Sequence, residues 1–231
     1  MTTGKDTDWG FRDLENARNY ATGAPRMALP GFDTMHRITT QVLAESAQKD
    51  GRILVLGGGG GLEVGALAKH PNNWSMTAVD PSPEMIQAAQ ETLGEVAKRV
   101  EWITGLIDDA SMGPFDGAIC LLTLHIIPDN GEKLATLKAI HDRLKPGARF
   151  IVVDNCLPDD ALRPLRALRY KTFFKESGAP SDAVETFTAT MLESMHMVTP
   201  EREAALLQEA GFSDIDLIFA GFAWRGGAAI A

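Results

Sequence analysis

The sequence predicts an α/β fold in which a parallel sheet is covered by helices on both faces. Two observations predict it: apolar strand-like runs alternate with helical patterns, and the first of these runs leads directly into five consecutive glycines. Such alternation is typical of parallel strands joined by crossover helices. The strands are predicted at about 52–57, 74–80, 99–104, 116–122 and 148–154, and the helices at about 33–48, 62–70, 82–93 and 129–145.

Two helix starts are indicated by local residues, and the alternation stops after Asp154. Ser82 and Thr199 each precede a proline, and a hydroxyl side chain before a proline is a common N-terminus of a helix. The remaining elements are predicted to be a helical insertion at 157–196, a helix at 199–210 and a hairpin formed by 214–220 and 222–230.

The five glycines at 57–61 are the most informative segment of the chain. Glycine lets the backbone turn sharply and approach a ligand closely. Asp80 ends the next strand, 19 residues after Gly61, where a carboxylate can accept the hydroxyls of a ribose. A dinucleotide fingerprint starting at Gly57 would need glycine in place of Leu62, and a P-loop would need Gly-Lys-Ser/Thr. The remaining G-x-G-x-G pattern suits a cofactor with a ribose and no pyrophosphate, such as S-adenosylmethionine.

The composition favours one core domain that acts on small or locally recognised substrates. The chain has 231 residues, and 22 basic against 31 acidic residues give a net charge of −9, which makes nucleic acid an unlikely partner. Without an apolar signal segment or a run long enough to span a membrane, a cytoplasmic location is expected. Cys120 and Cys156 are expected to be buried thiols, and no cluster of residues has metal-ligand spacing.

The five strands, the terminal hairpin and the G-x-G-x-G segment resemble the class I S-adenosylmethionine-dependent methyltransferases. The resemblance implies a Rossmann-like seven-stranded fold, with a methyltransferase domain at 33–231 and the insertion on its substrate side. Residues 1–32 are polar and irregular enough to form an N-terminal arm or lid. The resemblance implies S-adenosylmethionine as the cofactor. The implied cofactor-binding residues are Gly57, Gly59, Gly61, Asp80, Pro81, Leu106, Ile107 and Leu121.

The pattern is also similar to the carboxy-S-adenosylmethionine synthases that serve tRNA wobble-uridine modification. The shared segments are Asp8-Trp9-Gly10-Phe11, Leu29-Pro30-Gly31-Phe32, Leu122-Thr123-Leu124-His125, Met191-Leu192-Glu193 and Ala210-Gly211-Phe212. In that branch an arginine before Ser-Met-Leu-Glu binds the extra carboxylate of the cofactor, and here Ala189 occupies its place. A carboxylate without that bidentate cation loses its main partner.

Three hypotheses about function remain open. The leading one is a methyltransferase that transfers the methyl group in line to a small-molecule acceptor. The second is an enzyme like the carboxy-S-adenosylmethionine synthases, or a tRNA-modification factor. The third is a cofactor-binding protein without transfer activity, because Val55, Leu106 and Leu121 stand where relatives often have polar residues.

Two histidines are candidates for a catalytic base or an orienting group. Methyl transfer from a sulfonium depends on positioning more than on acid or base, so the sequence need not contain a triad. His125 follows the fourth strand at the cofactor end of the sheet; the alternative is a histidine that caps or packs against the next helix. His36 lies one turn after Phe32; the alternative is an exposed position on an amphipathic helix.

The acceptor is expected to bind between the arm and the insertion, in a largely apolar pocket. Arg163, Arg166 and Arg169 form a basic stripe that could meet an acidic substrate, RNA or another subunit, so a homodimer stays open beside simple solvated charge. The predicted substrate-binding residues are Tyr20, Phe32, Asp154, Met191 and His196, with Trp9 and Phe11 as further aromatic walls of the arm.

Overall fold

The computed structural model describes residues 13–157, 160–193 and 195–231, and it confirms the predicted fold class. Its seven strands are β1 (Arg52–Leu56), β2 (Ser75–Asp80), β3 (Val100–Thr104), β4 (Phe115–Leu121), β5 (Leu144–Asn155), β6 (Ser213–Gly221) and β7 (Trp224–Ile230). They form one sheet in the order β3-β2-β1-β4-β5-β7-β6. β1 to β5 are parallel, and β6 and β7 form the predicted antiparallel hairpin.

Both faces of the sheet are buried under helices. Along β1, Ile53 and Val55 belong to one apolar cluster, whereas Leu54 and Leu56 belong to the other. A strand buried on both faces needs such a continuous apolar run. The helices are α1 (Leu14–Ala21), α2 (Ala24–Ala28), α3 (Phe32–Leu43), α4 (Leu62–Leu67), α5 (Pro83–Leu93), α6 (Glu132–His141), α7 (Arg163–Glu176), α8 (Ser181–Glu193) and α9 (Pro200–Glu209).

The described part of the N-terminal arm is helical, not irregular. Asp13 accepts a hydrogen bond from the N–H of Glu15 at the start of α1, which is a common N-cap. Ala17 and Ala21 of α1 pack against Met85 on α5. The arm is therefore docked on the helix that follows β2.

The other differences from the predicted elements are small. The fifth strand begins at Leu144, not near 148, because Leu144 already pairs with Phe115 of β4. The predicted insertion contains α7 and α8. The backbone N–H of Leu157, at its start, donates to the carbonyl of Val198, two residues after its end. Among the described residues, no helix has the length and apolarity needed to cross a membrane.

Candidate active site

The crevice at the carboxyl ends of the parallel strands lies where the strand order reverses. β1 stands between β2 and β4. The chain proceeds from β1 to β2 and β3 on one side, and from β4 to β5 on the other. Ligands of open α/β sheets bind at such a switch point. The glycine loop follows β1. Asp80, Leu121 and Asp154 lie at the carboxyl ends of β2, β4 and β5, and further predicted site residues lie in the loops after β2, β3 and β4.

The glycine loop packs so closely on its neighbours that it has no room for side chains at two predicted positions. A Cβ on Gly57 would overlap the hydroxyl of Thr123, and a Cβ on Gly59 would overlap the carboxylate of Asp80. Gly57 also has a φ of +73°, in the left-handed region that favours glycine. Gly61 is the N-cap of α4. The loop thus presents backbone to the crevice.

Asp80 is held in place by the backbone on both of its carboxylate oxygens. Gly59 donates its N–H to Oδ2 and Ser82 donates to Oδ1, each at 2.9 Å. The pKa of Asp80 is raised to about 6. Burial is the main cause and the charge of nearby Glu63 adds to it, whereas the two backbone donors act in the opposite direction. Since each carboxylate oxygen can accept two hydrogen bonds, both oxygens retain capacity for ribose hydroxyls.

The predicted adenine side is formed by the loops after β2 and β3. Gly105 donates its N–H to the carbonyl of Asp80 at 3.0 Å, which brings the two loops together. Pro81 is exposed, and Leu106 is 64% exposed. Ile107, in contrast, is buried in the core. Of the two predicted residues on the β3 loop, Leu106 is the one that presents an apolar surface.

Leu121 ends β4 with its side chain inside the core. It is 2% exposed and belongs to the cluster under the sheet. The next residue, Leu122, has a φ of +56°, and the hydroxyl of Thr123 donates back to the Leu121 carbonyl at 2.9 Å. The predicted contact of Leu121 with a ligand is therefore limited to its backbone, because the side chain has almost no free surface.

His125 and Asp154, predicted as separate site residues, are direct partners. Nδ1 of His125 lies 2.5 Å from Oδ1 of Asp154, and the backbone N–H of His125 donates to the same oxygen at 2.9 Å. Asp154 is fully buried, and His125 is 5% exposed. The Trp224 ring meets the imidazole edge-on, with 5.4 Å between centroids. An acceptor-only carboxylate next to Nδ1 places the proton there and leaves Nε2 with its lone pair.

The other end of this network contains two groups that were not predicted. Lys133 is completely buried; its Nζ donates to the His196 carbonyl at 3.1 Å and lies 4.0 Å from Oδ2 of Asp154. Burial, followed by the charge of Asp154, raises the pKa of Glu203 to about 8. Asp154 therefore lies among buried titratable groups.

Of the two predicted substrate residues near the end of the insertion, only His196 has a described side chain. The side chain of His196 is exposed, and its backbone joins the site by donating to the His125 carbonyl at 2.7 Å. Met191 lies in α8, but its side chain is outside what the structure describes. Trp9 and Phe11 also lie outside the described residues.

His36 is buried against Glu63, not exposed on its helix. Its Nδ1 lies 3.0 Å from the Phe32 carbonyl, and its Nε2 lies 3.9 Å from Oε1 of Glu63. The Phe32 ring packs against the imidazole with 4.3 Å between centroids and is itself 3% exposed. Phe32 is thus a core support for His36 and presents no open wall to a substrate.

Tyr20 is the residue of the arm that contacts the glycine loop. A Cβ on Gly60 would lie 2.8 Å from the Tyr20 ring. Burial, followed by the charges of Glu63 and Asp80, raises the pKa of the Tyr20 hydroxyl. The side chain predicted to close over the site therefore lies beside the predicted cofactor residues.

Comparison with known proteins identifies the family. The methyltransferase domain family matches residues 54–150, from within β1 to within β5. The structure of human N-acetylserotonin methyltransferase in complex with S-adenosylmethionine superposes with a TM-score of 0.66 at 18% identity, covering 95% of this chain and 57% of that one. The family match and the fold support a class I S-adenosylmethionine-dependent methyltransferase family for this chain. The predicted family and cofactor are therefore confirmed.

Two curated proteins are similar to this methyltransferase in sequence. A carboxy-S-adenosyl-L-methionine synthase from Chromohalobacter salexigens is 28% identical. The match covers 64% of this chain and 56% of the length of the synthase. The ubiquinone/menaquinone biosynthesis C-methyltransferase UbiE from Rubrivivax gelatinosus is 29% identical over 78% of this chain and 71% of its own. The relatives thus differ in the reactions their names state.

The described residues of the methyltransferase fit S-adenosylmethionine in three respects. The glycine loop leaves backbone groups facing the crevice, and Asp80 retains acceptor capacity. In addition, Oε2 of Glu63 and Nε2 of His36 are buried without a hydrogen-bond partner in the described chain. Because buried polar atoms are nearly always paired, this pair indicates a place for a polar part of the ligand.

Glu63 is the functional candidate that sequence reasoning missed. It is 2% exposed and stands two residues after the last glycine, so an acid directly after the glycine loop was the available signal. Lys133 and Glu203 gave no comparable signal, because both stand on helices whose patterns resemble ordinary surface charge.

Proposed function

We propose that this protein transfers the methyl group of S-adenosylmethionine to a small-molecule acceptor, with His125 as the base. The observation that carries the proposal is the 2.5 Å contact between Nδ1 of His125 and the buried Asp154 carboxylate. No hydrogen bond reaches Nε2 of His125 within the described chain. A histidine oriented by a carboxylate is suited to remove a proton near neutral pH.

The bound cofactor supplies an electrophilic methyl group and a neutral thioether leaving group. As the acceptor approaches in line, Nε2 of His125 takes its proton. Asp154 holds the imidazole in the required tautomer and stabilises the cation that forms, as the carboxylate does in histidine dyads. Lys133, 4.0 Å from the far oxygen of Asp154, helps to hold that carboxylate in place.

We assign the cofactor subsites as follows. Asp80 accepts the ribose hydroxyls, and the exposed Leu106 covers one side of the adenine. Glu63 accepts the α-ammonium of the methionine part, which would pair its buried, unpartnered Oε2. Tyr20 closes over the glycine loop and limits access of water. His36 is then a positioning residue for Glu63, with no contact to the acceptor.

A second candidate function, a carboxy-S-adenosylmethionine synthase activity, is favoured by the sequence similarity to such synthases. Ala189 speaks against it, because the residue is a small exposed side chain on α8 and provides no cation for the carboxylate. Mass spectrometry of the ligand that co-purifies with the protein separates the two functions. Ordinary cofactor or its demethylated product supports methyl transfer, whereas a carboxylated cofactor would support the second candidate.

The activity is tested by incubating the protein with S-adenosylmethionine that carries a tritiated methyl group and with a fractionated small-molecule extract. We expect label to pass to a small molecule with the natural protein. His125→Ala should lose this transfer while it still binds S-adenosylhomocysteine. Transfer at the natural rate by His125→Ala would show that His125 is not the base.

A further inference from the structure

A cavity outside the cofactor crevice is lined by three arginines. It has a volume of about 170 Å³ and lies where α7 meets the turn between β6 and β7. Within the described chain, no carboxylate forms a salt bridge with these arginines; Arg225 donates only to the carbonyls of Phe222 and Trp224. The residues that line the cavity are Arg166, Arg169, Tyr170, Phe222, Ala223 and Arg225.

Three guanidinium groups around one small cavity need an explanation in a protein whose net charge is −9. Nearby like charges repel each other, and an anion between them would relieve that repulsion. Arginine is also the residue best suited to bind carboxylates and phosphates, because its planar group donates two parallel hydrogen bonds. The lining therefore has the chemistry of an anion site.

An apolar groove continues directly from this cavity along α7. The groove has a volume of about 380 Å³ and shares Arg169 and Phe222 with the cavity. Its further lining includes Leu165 and Leu168, which are 50% and 58% exposed, and Phe173. Exposed apolar side chains next to a cationic cavity match a ligand with one charged end and one apolar part.

We propose that this cavity and groove bind a small amphipathic anion. Its carboxylate or phosphate group pairs with Arg166, Arg169 and Arg225, and its apolar chain lies on Leu165 and Leu168. The proposal does not depend on the methyl-transfer mechanism, although the cavity lies near His125. The Tyr170 hydroxyl accepts the N–H of Ala223 at 2.9 Å, and the next residue, Trp224, packs against His125.

The test uses three matched eight-carbon probes, octanoate, octyl phosphate and 1-octanol, with titration calorimetry on the full chain. We expect at least one of the two anions to bind at least ten times more tightly than the alcohol. Comparing octanoate with octyl phosphate then shows which anionic group is preferred. Arg169→Gln and Arg225→Gln should each weaken that anion at least tenfold. Lys175→Gln, which removes a charge from the same helix outside the cavity, should change its affinity less than twofold.

Three results would overturn the proposal. The first is equal affinity for the anions and the alcohol. The second is an unchanged affinity for the anion in both arginine variants when their thermal stability matches that of the natural protein. The third is a dimer in sedimentation equilibrium that Leu168→Glu dissociates, because a second copy of the chain would then cover the groove. S-adenosylhomocysteine binding, measured in parallel, should stay unchanged in all variants, so failure here does not affect the proposed methyl transfer.

Discussion

The proposed cofactor side and the proposed acceptor side of this methyltransferase are built by different means. On the proposed cofactor side, backbone groups of the glycine loop and the carboxylate of Asp80 come from two consecutive strands and their loops. On the proposed acceptor side, side chains from remote segments meet: His125 and Asp154 are 29 residues apart, and Lys133 reaches His196 across 63 residues. The backbone-built subsite requires glycine where a Cβ would collide, whereas a side-chain network depends on every member.

The largest effect is expected from His125. His125→Ala should lower kcat by roughly 10²- to 10⁴-fold, which is the usual contribution of a general base. Affinity for S-adenosylhomocysteine should change less than twofold, because the residue belongs to the other side of the site. Asp154→Asn, of the same size, should also lower kcat. Steady-state kinetics with calorimetry checks both, and a matching loss of cofactor affinity would break the division between the two sides.

Asp80→Ala should have the converse effect. Losing the hydrogen bonds of a charged group to ribose costs about 2–3 kcal/mol, or a factor of about 30 to 150 in affinity. Titration calorimetry with S-adenosylmethionine and S-adenosylhomocysteine measures it. Unchanged binding of both ligands by the variant would remove Asp80 from the cofactor site.

The pH dependence of cofactor binding should follow Asp80, whose pKa is raised to about 6. Because the ribose hydroxyls need the ionised carboxylate, affinity should fall about tenfold between pH 7 and pH 5. Stability responds in the opposite direction: a raised pKa favours the folded protein at low pH, and this contribution is lost as pH rises from about 4 to 6. Asp80→Asn should abolish both dependences, and a pH-independent affinity in the natural protein would contradict the assignment.

Glu63→Gln tests the acid after the glycine loop. Removing its charge should weaken S-adenosylmethionine roughly tenfold, because the ammonium would keep only a neutral partner. Glu95→Gln makes the same chemical change at an exposed carboxylate and should have no effect. If both variants bind equally well, Glu63 is a buried structural acid.

The smallest effect concerns the docking of the arm. Arg18 donates to both carboxylate oxygens of Glu91, but the pair is exposed on the surface, where ion pairs contribute little. Arg18→Gln should therefore weaken S-adenosylhomocysteine less than threefold, whereas Tyr20→Ala should weaken it more. Calorimetry on the two variants, with Tyr20→Phe as the control for the hydroxyl, would show whether the ring over Gly60 is the contact that matters.

The placement of the glycine loop and Asp80 was more predictable from the sequence than the contacts of His125, for a physical reason. The glycine run and Asp80 are a local pattern, and parallel strands place their ends at one edge whatever the side chains are. His125 and Asp154 could be placed at that edge, yet their direct contact depends on the pairing of β4 with β5 and on side-chain rotamers. The contact of His36 with Glu63 depends on how α3 packs against α4, which no periodicity reveals.

Tyr20, in the last turn of α1, places the arm over the glycine loop. Because the Tyr20 ring lies on Gly60, and α1 itself packs on α5, we expect S-adenosylmethionine to enter before the helix closes over the loop. The demethylated product should then leave only after α1 moves away. The next helix of the arm, α2, packs instead on the insertion, where Ala28 contacts Phe174 and Val184. We therefore expect an ordered turnover in which the nucleoside binds first and leaves last.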